Sequence, residues 1–432
     1  MNRNISYSLN KFIGSGGLTF LSCLLCVIII PVHVDFLPPF MMFWVVCWII
    51  ENHQRFNKIW NREDPVILLF AGFALYFLWY IGCLFFTDDI HNGMLLVFRR
   101  LPFITFPFVL IFPGDLIKKK VRLLLRVFSL STLFFILFLF GLALVRSVYI
   151  TDGAITFNPH PPEYDYANYF FGTYFVFQQH PTYMAMYVVF SMFIAFESFI
   201  DNQLKLFFRI LWLLSGILLL VSLYFLSSRA GIFSALLLIP LYLIIQFIKI
   251  KKWGVSLLIV IVAMPVIIFS FLNNDRIKYY LPETNETSLV NKFMLDNRIP
   301  IWKSAIKVIK HNFVVGVGPG DASEKLLKEY KNEGYTEMCY DNLNAHNQFL
   351  EVFLGTGLIG FLIFISILLY MVYILILKRN LLFGLYISII LIIFLFESIL
   401  NRIAGVTFFS LFTFLLLYLE DNNALSKQEI TV

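Results

Sequence analysis

The chain has 432 residues, of which 59% are hydrophobic and only 14% are charged, whereas roughly 25% of the residues in an average soluble domain are charged. This composition excludes a soluble globular protein, because one water-soluble core cannot bury so much apolar surface. The net charge of +6 comes from 33 basic and 27 acidic residues. The basic residues are scattered between apolar segments, which argues against nucleic-acid binding. The five cysteines lie mostly inside apolar segments and indicate neither a disulfide framework nor a zinc site.

Apolar segments long enough to cross a membrane recur along the chain. A helix needs about 20 apolar residues to cross a hydrocarbon core of roughly 30 Å. The sequence therefore predicts an all-α, polytopic membrane helix bundle of about twelve transmembrane helices. Their approximate positions are residues 17–33, 37–50, 65–86, 93–112, 123–145, 181–199, 207–226, 231–248, 253–272, 348–377, 381–398 and 403–419.

The positive residues predict which ends of these helices face the cytoplasm, because short loops rich in Lys and Arg stay inside. With the N-terminus inside, the inner segments contain 17 Lys and Arg residues and the short outer segments contain 3. Both termini are therefore expected in the cytoplasm. The predicted division is 1–272 for helices one to nine with an outer loop near 146–180, 273–347 for a large helical outer loop, 348–419 for the last three helices, and 420–432 for a cytoplasmic tail.

Two arginines on the outer side stand out. Arg229 lies between two apolar spans with almost no loop around it. An arginine near a membrane is costly and usually marks a site, unless its side chain reaches the interface. Arg298 precedes a predicted amphipathic helix that carries Trp302 and several lysines. That helix either lies on the membrane face or caps the bundle, whereas Arg298 is placed to reach a substrate.

Two further arginines leave alternatives open. Arg100, beside Arg99, lies within the fourth predicted span, so it needs a partner or a wet cavity, or else marks a later start of that span. Arg402 follows Glu397 by five residues. It forms either a structural ion pair with Glu397 or part of a site.

His346 ends the large outer loop and is surrounded by Asn and Gln residues. A neutral imidazole can accept a proton near pH 7, so His346 is a candidate general base, although a loop histidine also serves as an ordinary hydrogen-bonding residue. No histidine spacing predicts a metal site. The run from Gly316 to Asp321 lacks the Lys and Ser/Thr of a phosphate-binding loop, and a tight turn is the better interpretation.

Several motifs together resemble the O-antigen ligase and polymerase superfamily over about residues 90–410. The segments that carry the resemblance are Arg298 with Trp302, Gly316 to Asp321, Asn344 to Gly360, His180 to Tyr183, Ser228 to Gly231, and Glu397 with Gly405.

The resemblance implies a GT-C-type, multi-span glycosyltransferase on the outer face of the bacterial inner membrane, metal-independent and without a cofactor. Members of the family move a glycan from undecaprenyl diphosphate to a lipid A-core sugar, to another glycan or to a protein side chain. By motif position, the resemblance makes His346 catalytic and Arg229 and Arg298 the ligands of the donor diphosphate. The further residues expected at the site are Arg100, His180, Tyr183, Asn347 and Arg402.

The chemistry of these residue types agrees with that activity. Guanidinium groups can stabilise a diphosphate leaving group, and an imidazole can take the proton of an attacking hydroxyl. The sequence leaves the acceptor open: a lipid A-core sugar for a ligase, another glycan for a polymerase, or a protein side chain for a protein-glycosylating enzyme. The competing hypothesis is a transporter of lipid-linked sugars, which usually shows repeated halves and a binding site near the membrane midplane. No repeat is evident in this sequence, and its candidate residues lie in outer loops.

Overall fold

The computed structural model describes residues 15–52, 65–151, 153–160, 167–177, 179–250, 261, 265 and 298–419. The first helices in chain order are α1 (Gly17–Val32), α2 (Leu37–Asn52), α3 (Pro65–Gly82), α4 (Ile90–Arg99), α5 (Pro102–Ile111) and α6 (Gly114–Ser147). They are followed by β1 (Val148–Thr151), β2 (Ala154–Phe157), α7 (Gly172–Val176), α8 (Pro181–Ile200), α9 (Leu206–Leu226) and α10 (Arg229–Ile250). The last helices are α11 (Arg298–His311), α12 (Ala322–Asn332), α13 (Thr336–Tyr340), α14 (Gln348–Lys378), α15 (Leu381–Phe396) and α16 (Ile403–Leu416).

The described chain forms two compact units. Unit 1 takes Met1–Leu124, Arg298–Ile387 and Phe394–Val432, and unit 2 takes Leu125–Asn297 and Ser388–Ile393. Helix α6 begins in unit 1 and continues into unit 2. The domain boundaries predicted from the sequence stay a prediction.

The number and placement of apolar helices confirm an all-α polytopic membrane fold. Among the described residues, eight apolar helical stretches are long enough to cross a membrane, with α4 and α5 together forming one of them. Helices α1, α15 and α16 are shorter apolar helices at three more predicted spans. Of the predicted positions, 253–272 lies outside the described residues except for residues 261 and 265. The large loop is helical from residue 298 onward, as predicted, through α11, α12 and α13.

Helix α14 shows how these helices suit lipid. Leu362, Leu369 and Ile376 are 55 to 66% exposed and are spaced seven residues apart, so they lie on one apolar face. Phe364 and Met371, on another face, are fully buried. An exposed face without polar groups is stable against hydrocarbon, which is the environment predicted from the composition.

Aromatic rings fill the core of unit 1. Helix α3 packs against α5 and α14, and α5 packs against α16. The ring of Phe73 lies 5.4 Å from both Phe103 and Phe409, and Tyr76 lies 5.7 Å from Phe103. These stacked, tilted and edge contacts add about 0.5–1.5 kcal/mol per pair to the burial of the rings.

In unit 2, α8 packs against both α9 and α10. Arg126 forms an ion pair with Asp201 at 2.6 Å, and its Nε donates to Ser198 Oγ at 3.1 Å. One element of this unit was not predicted. Strands β1 and β2 form an antiparallel hairpin in which Val148 pairs with Phe157, within the segment that the sequence analysis assigned only to a loop.

Residues 313–317 of the large loop pack into an interruption of α14 at Gly357. Gly357 has φ +65° within the helix, and the N–H groups of Val317 and Leu358 donate to Leu354 O and Phe313 O, both at 2.9 Å. The loop backbone thereby takes over hydrogen bonds that the interrupted helix cannot make, as a membrane requires. Gly316 and Gly357 meet so closely that a Cβ on either one would lie within 2.6 Å of the other's backbone.

We expect Gly357→Ala to lower the thermal stability of the protein in detergent, because the methyl group meets the Val314 carbonyl and the left-handed φ disfavours alanine. The measurement is the melting temperature by size-exclusion chromatography after heating. Gly82→Ala is the matched control, since Gly82 has helical φ and no atom within 4 Å of an added Cβ. Equal melting temperatures of the two variants would contradict this account of the break.

Candidate functional site

The loop that carries His346 is shaped by asparagines. Asn342 and His346 both have positive φ, 48° and 42°, a conformation that Asn and His adopt more readily than most residues. Asn344 Oδ1 accepts a hydrogen bond from His346 N at 2.9 Å. Asn347 caps α14, where its Oδ1 accepts from the N–H groups of Phe349 at 3.0 Å and Leu350 at 3.1 Å. The loop thus presents His346 in a fixed conformation just before a long helix.

The imidazole of His346 faces a carboxylate. Its Nδ1 lies 3.2 Å from both Oε1 and Oε2 of Glu397, and the two side chains are 25% and 11% exposed. An ionised carboxylate can only accept a hydrogen bond, so Nδ1 carries the proton and Nε2 is left as the basic nitrogen. This geometry suits a histidine that takes a proton from a substrate.

Arg298 is held beside the same segment of chain. Its Nη2 donates to Phe396 O at 3.1 Å, and its guanidinium lies 5.3 Å from the centre of the Phe396 ring. Arg298 and His346 therefore contact adjacent residues at the end of α15. Trp302 Nε1 donates to Ala345 O at 3.1 Å and joins α11 to the loop of His346. The structure brings Arg298, His346 and Asn347 together in unit 1.

Helices α11 and α12 form a small apolar core against the start of α14. Ile301, Ala305, Leu326, Tyr330 and Leu354 are buried in it. Burial raises the pKa of the Tyr330 phenol, which therefore stays protonated. On the outer face of α11, Lys307 pairs with the carboxylates of Glu329 and Glu333. Of the two alternatives from the sequence, α11 thus caps helices of unit 1 with its apolar face.

Glu351 accepts hydrogen bonds from the loop of His346 and from residues 397–402, the non-α-helical segment between α15 and α16. It is 9% exposed and accepts hydrogen bonds from Ala345 N at 3.2 Å and Asn401 Nδ2 at 2.7 Å. Gln348 Oε1, one turn earlier, accepts from Leu400 N at 2.7 Å. The first turn of α14 therefore positions both the loop of His346 and the break that contains Glu397.

Arg100 and Arg402 line a cavity of about 230 Å³ in unit 1, which we call the arginine cavity. Among the other residues of its wall are Arg99, Asn344, Glu351 and Asn401. A new helix, α5, does begin just after Arg100, so the fourth predicted span is interrupted at the cavity. Within the described residues Arg402 forms no ion pair, and Glu397 pairs with His346 instead. The ion pair considered for Arg402 and Glu397 is therefore wrong.

The remaining predicted residues lie together in unit 2. Arg229 is the first residue of α10, and His180 is the N-cap of α8, where its Nδ1 accepts from Thr182 N at 3.3 Å. Tyr183 packs edge-on against His180. Gly231 approaches α8 so closely that an added Cβ would lie 2.5 Å from Ala185 Cβ. Two helix N-termini and one arginine thus gather at one end of unit 2, which favours an anion. That Arg229 converges with Arg298 and His346 stays a prediction.

Residues 214–365 match the family described as O-antigen ligase. Over these residues the chain is similar to O-antigen ligases. This confirms the family predicted from the sequence, and it supports a ligase-like or polymerase-like activity for a membrane protein of this kind. The search of curated proteins found no match.

The matched segment includes Arg229, Arg298 and His346 and ends before Glu397. Sequence reasoning singled out Glu397 as a neighbour of Arg402 and as part of the family resemblance, but it did not pair Glu397 with His346 and assigned no role to Glu351 or Asn401. The available signal was the presence of carboxylates and amides inside or beside apolar spans, where a polar side chain needs a partner.

Among the described residues, no group of three or more His, Cys, Asp or Glu side chains could hold a metal ion. Asp88, Asp89 and Asp321 do lie close together, but the Asp321 carboxylate accepts hydrogen bonds from the N–H groups of residues 88 and 89, both at 2.9 Å. This contact fastens the Gly316 to Asp321 loop to the start of α4. The loop is a tight turn, as the sequence indicated.

The cap of α14 generates a second prediction. Asn347→Ala removes the acceptor for two helix N–H groups and should lower the free energy of unfolding by about 0.5–2 kcal/mol, whereas Asn347→Asp should retain most of it. Thermal unfolding in detergent measures both variants. An alanine variant as stable as the wild type would contradict the capping role.

Proposed function

We propose that this protein is a glycosyltransferase of the O-antigen ligase type, which moves a glycan from undecaprenyl diphosphate to an acceptor hydroxyl. A lipid A-core sugar is the acceptor of such ligases. The observation that carries the proposal is the contact of His346 with Glu397, beside Arg298, which is hydrogen-bonded to Phe396 O. Both His346 and Arg298 lie in the segment that matches the family.

The acceptor half of the reaction needs a base. The acceptor oxygen attacks the anomeric carbon of the donor, and its proton passes to His346 Nε2. The Glu397 carboxylate, at 3.2 Å from Nδ1, stabilises the imidazolium that forms. A base so placed contributes about 10²- to 10⁴-fold to the rate.

The donor half needs positive charge. As the bond between the anomeric carbon and the diphosphate oxygen breaks, the leaving undecaprenyl diphosphate gains negative charge. Arginine keeps its own charge and can bind two phosphate oxygens at once. We assign Arg298 and Arg229 to this diphosphate, as the resemblance to the family implies. Arg298 is oriented by Phe396, and Arg229 begins a helix.

We place the reaction on the outer face of the bacterial inner membrane, with both termini in the cytoplasm. The support is the distribution of 17 Lys and Arg residues in inner segments and 3 in short outer segments. Surface glycans of a deletion strain test the acceptor. A ligase leaves lipid A-core uncapped while lipid-linked chains accumulate, a polymerase leaves single repeat units, and a protein glycosylating enzyme leaves bare proteins.

We expect His346→Ala to lower the rate of glycan transfer by about 10²- to 10⁴-fold, because the acceptor loses its base. The assay reconstitutes the purified protein in liposomes with lipid-linked glycan and acceptor, and measures release of undecaprenyl diphosphate. His311→Ala, at the exposed end of α11, is the matched control and should keep the wild-type rate. Normal transfer by the His346 variant would refute the assignment, and translocation without release would identify a transporter.

Glu397→Gln should also slow transfer, but less than His346→Ala. The glutamine oxygen can still accept from Nδ1, whereas its neutral amide cannot stabilise the imidazolium. Single-turnover rates at saturating donor and acceptor measure this step apart from binding. A Glu397→Gln variant with wild-type single-turnover rates would show that the carboxylate has no part in the proton transfer.

A further inference from the structure

We propose that the arginine cavity binds one sugar that carries an anionic group, a carboxylate or a phosphate, and that this sugar belongs to a glycan substrate. The proposal rests on the proposed function and extends it to a substrate class. It is argued from the state of Arg100, the charge of the cavity wall and the polar groups around it.

Arg100 is a buried cation with unused donors. It is 3% exposed, its Nη2 donates to Asn401 Oδ1 at 3.2 Å, and its Nη1 lies at the limiting distance of 3.5 Å from Leu96 O. Its Nε is buried and has no hydrogen-bond partner among the described residues. A guanidinium has five N–H donors, and leaving one buried without a partner costs free energy. An anion in the cavity would remove that cost.

The orientation of Arg100 is fixed without any carboxylate. Its guanidinium stacks on the ring of Tyr80, with 4.0 Å between the guanidinium carbon and the ring centre, which holds the plane of the donors. Its Asn401 partner is itself fixed, because Asn401 Nδ2 donates to Glu351 Oε1 at 2.7 Å. The arginine is thus positioned as a preorganised binding group, and no side-chain carboxylate of the described chain forms an ion pair with it.

The whole wall favours an anion. Its charged residues are Arg99, Arg100, Arg402 and Glu351, a net charge of +2. Glu351 already accepts hydrogen bonds from Ala345 N and Asn401. The net positive charge is therefore available to a ligand, and it attracts an anion most strongly at the buried Arg100.

The uncharged polar residues of the wall favour a sugar over a lipid headgroup. Amide side chains of Asn92, Asn342 and Asn344 line the cavity together with the Ser323 hydroxyl, and such groups both donate to and accept from sugar hydroxyls. A volume of about 230 Å³ is large enough for one sugar ring. Asn344 also accepts from His346 N, so the cavity wall adjoins the loop of the proposed base.

Binding of small probes to the purified full-length protein tests the proposal. The probes are glucuronic acid and glucose 6-phosphate, with glucose, inorganic phosphate and phosphatidylglycerol vesicles as comparisons. We expect the two sugar anions to bind more tightly than glucose and phosphate. Arg100→Gln should weaken this binding about tenfold or more, since a charge-assisted contact is lost. Arg402→Gln should also weaken binding of the sugar anions. Because Arg402 is exposed, this variant tests the proposal if Arg100→Gln does not fold.

The controls separate a binding role from a structural one. Arg146→Gln changes an arginine of unit 2 that lies over Phe177 at 4.3 Å, and it should leave probe affinity unchanged. Arg100→Lys keeps the positive charge but lacks the planar set of guanidinium donors, so this variant should bind the sugar anions with intermediate affinity. Equal affinity for glucose and glucuronic acid, phosphate binding as tight as that of glucose 6-phosphate, or displacement by phosphatidylglycerol vesicles would each overturn the proposal.

The same measurements distinguish this proposal from the proposed function. His346→Ala should slow transfer by about 10²- to 10⁴-fold yet bind the sugar anions with wild-type affinity. A wild-type protein that binds them but transfers no glycan would reject the transferase function and keep the cavity. A protein that transfers glycan but binds none of the sugar anions would reject the cavity alone.

Discussion

The break between α15 and α16, residues 397–402, is held in place by the first turn of α14, and the arrangement of the candidate site depends on that attachment. Gln348 accepts from Leu400 N and Glu351 accepts from Asn401, both at 2.7 Å. Inside a membrane, backbone groups that leave a helix must find partners in the protein. The polar side chains of α14 supply them, so the carboxylate that faces the imidazole comes from a segment with a fixed conformation.

The same requirement explains the glycines of the large loop. Residues 313–317 lie in the interruption of α14 at Gly357, and hydrogen bonds join the two backbones in both directions. Only glycine allows this approach, because an added Cβ at Gly316 would lie 2.6 Å from Gly357 N. These residues of the loop are therefore packed as part of the helix bundle of unit 1, and they attach the chain between Arg298 and His346 to α14.

The sequence predicted well those features that follow from hydropathy and local conformation, and less well those that depend on distant pairs. Apolar length placed the spans, and the asparagines around His346 indicated an ordered helix start. The pairing of His346 with Glu397 joins residues 51 positions apart, and no local pattern specifies such a contact. The hairpin of β1 and β2 was missed because short strands with four exposed residues in β2 give no periodic signal.

Charge is distributed unequally over the polar groups of unit 1. Glu351 accepts hydrogen bonds from backbone and amide donors, and Glu397 faces an imidazole, so both carboxylates are compensated by the chain itself. Arg100 contacts neutral groups, namely the Asn401 amide, the Leu96 carbonyl and the Tyr80 ring, and it forms no ion pair within the described residues. A buried arginine beside apolar spans is costly and usually faces a partner or a cavity. A chain that needed only a structural contact could place a neutral donor there at lower cost. The retained positive charge is most simply explained by a negative partner that arrives with the substrate.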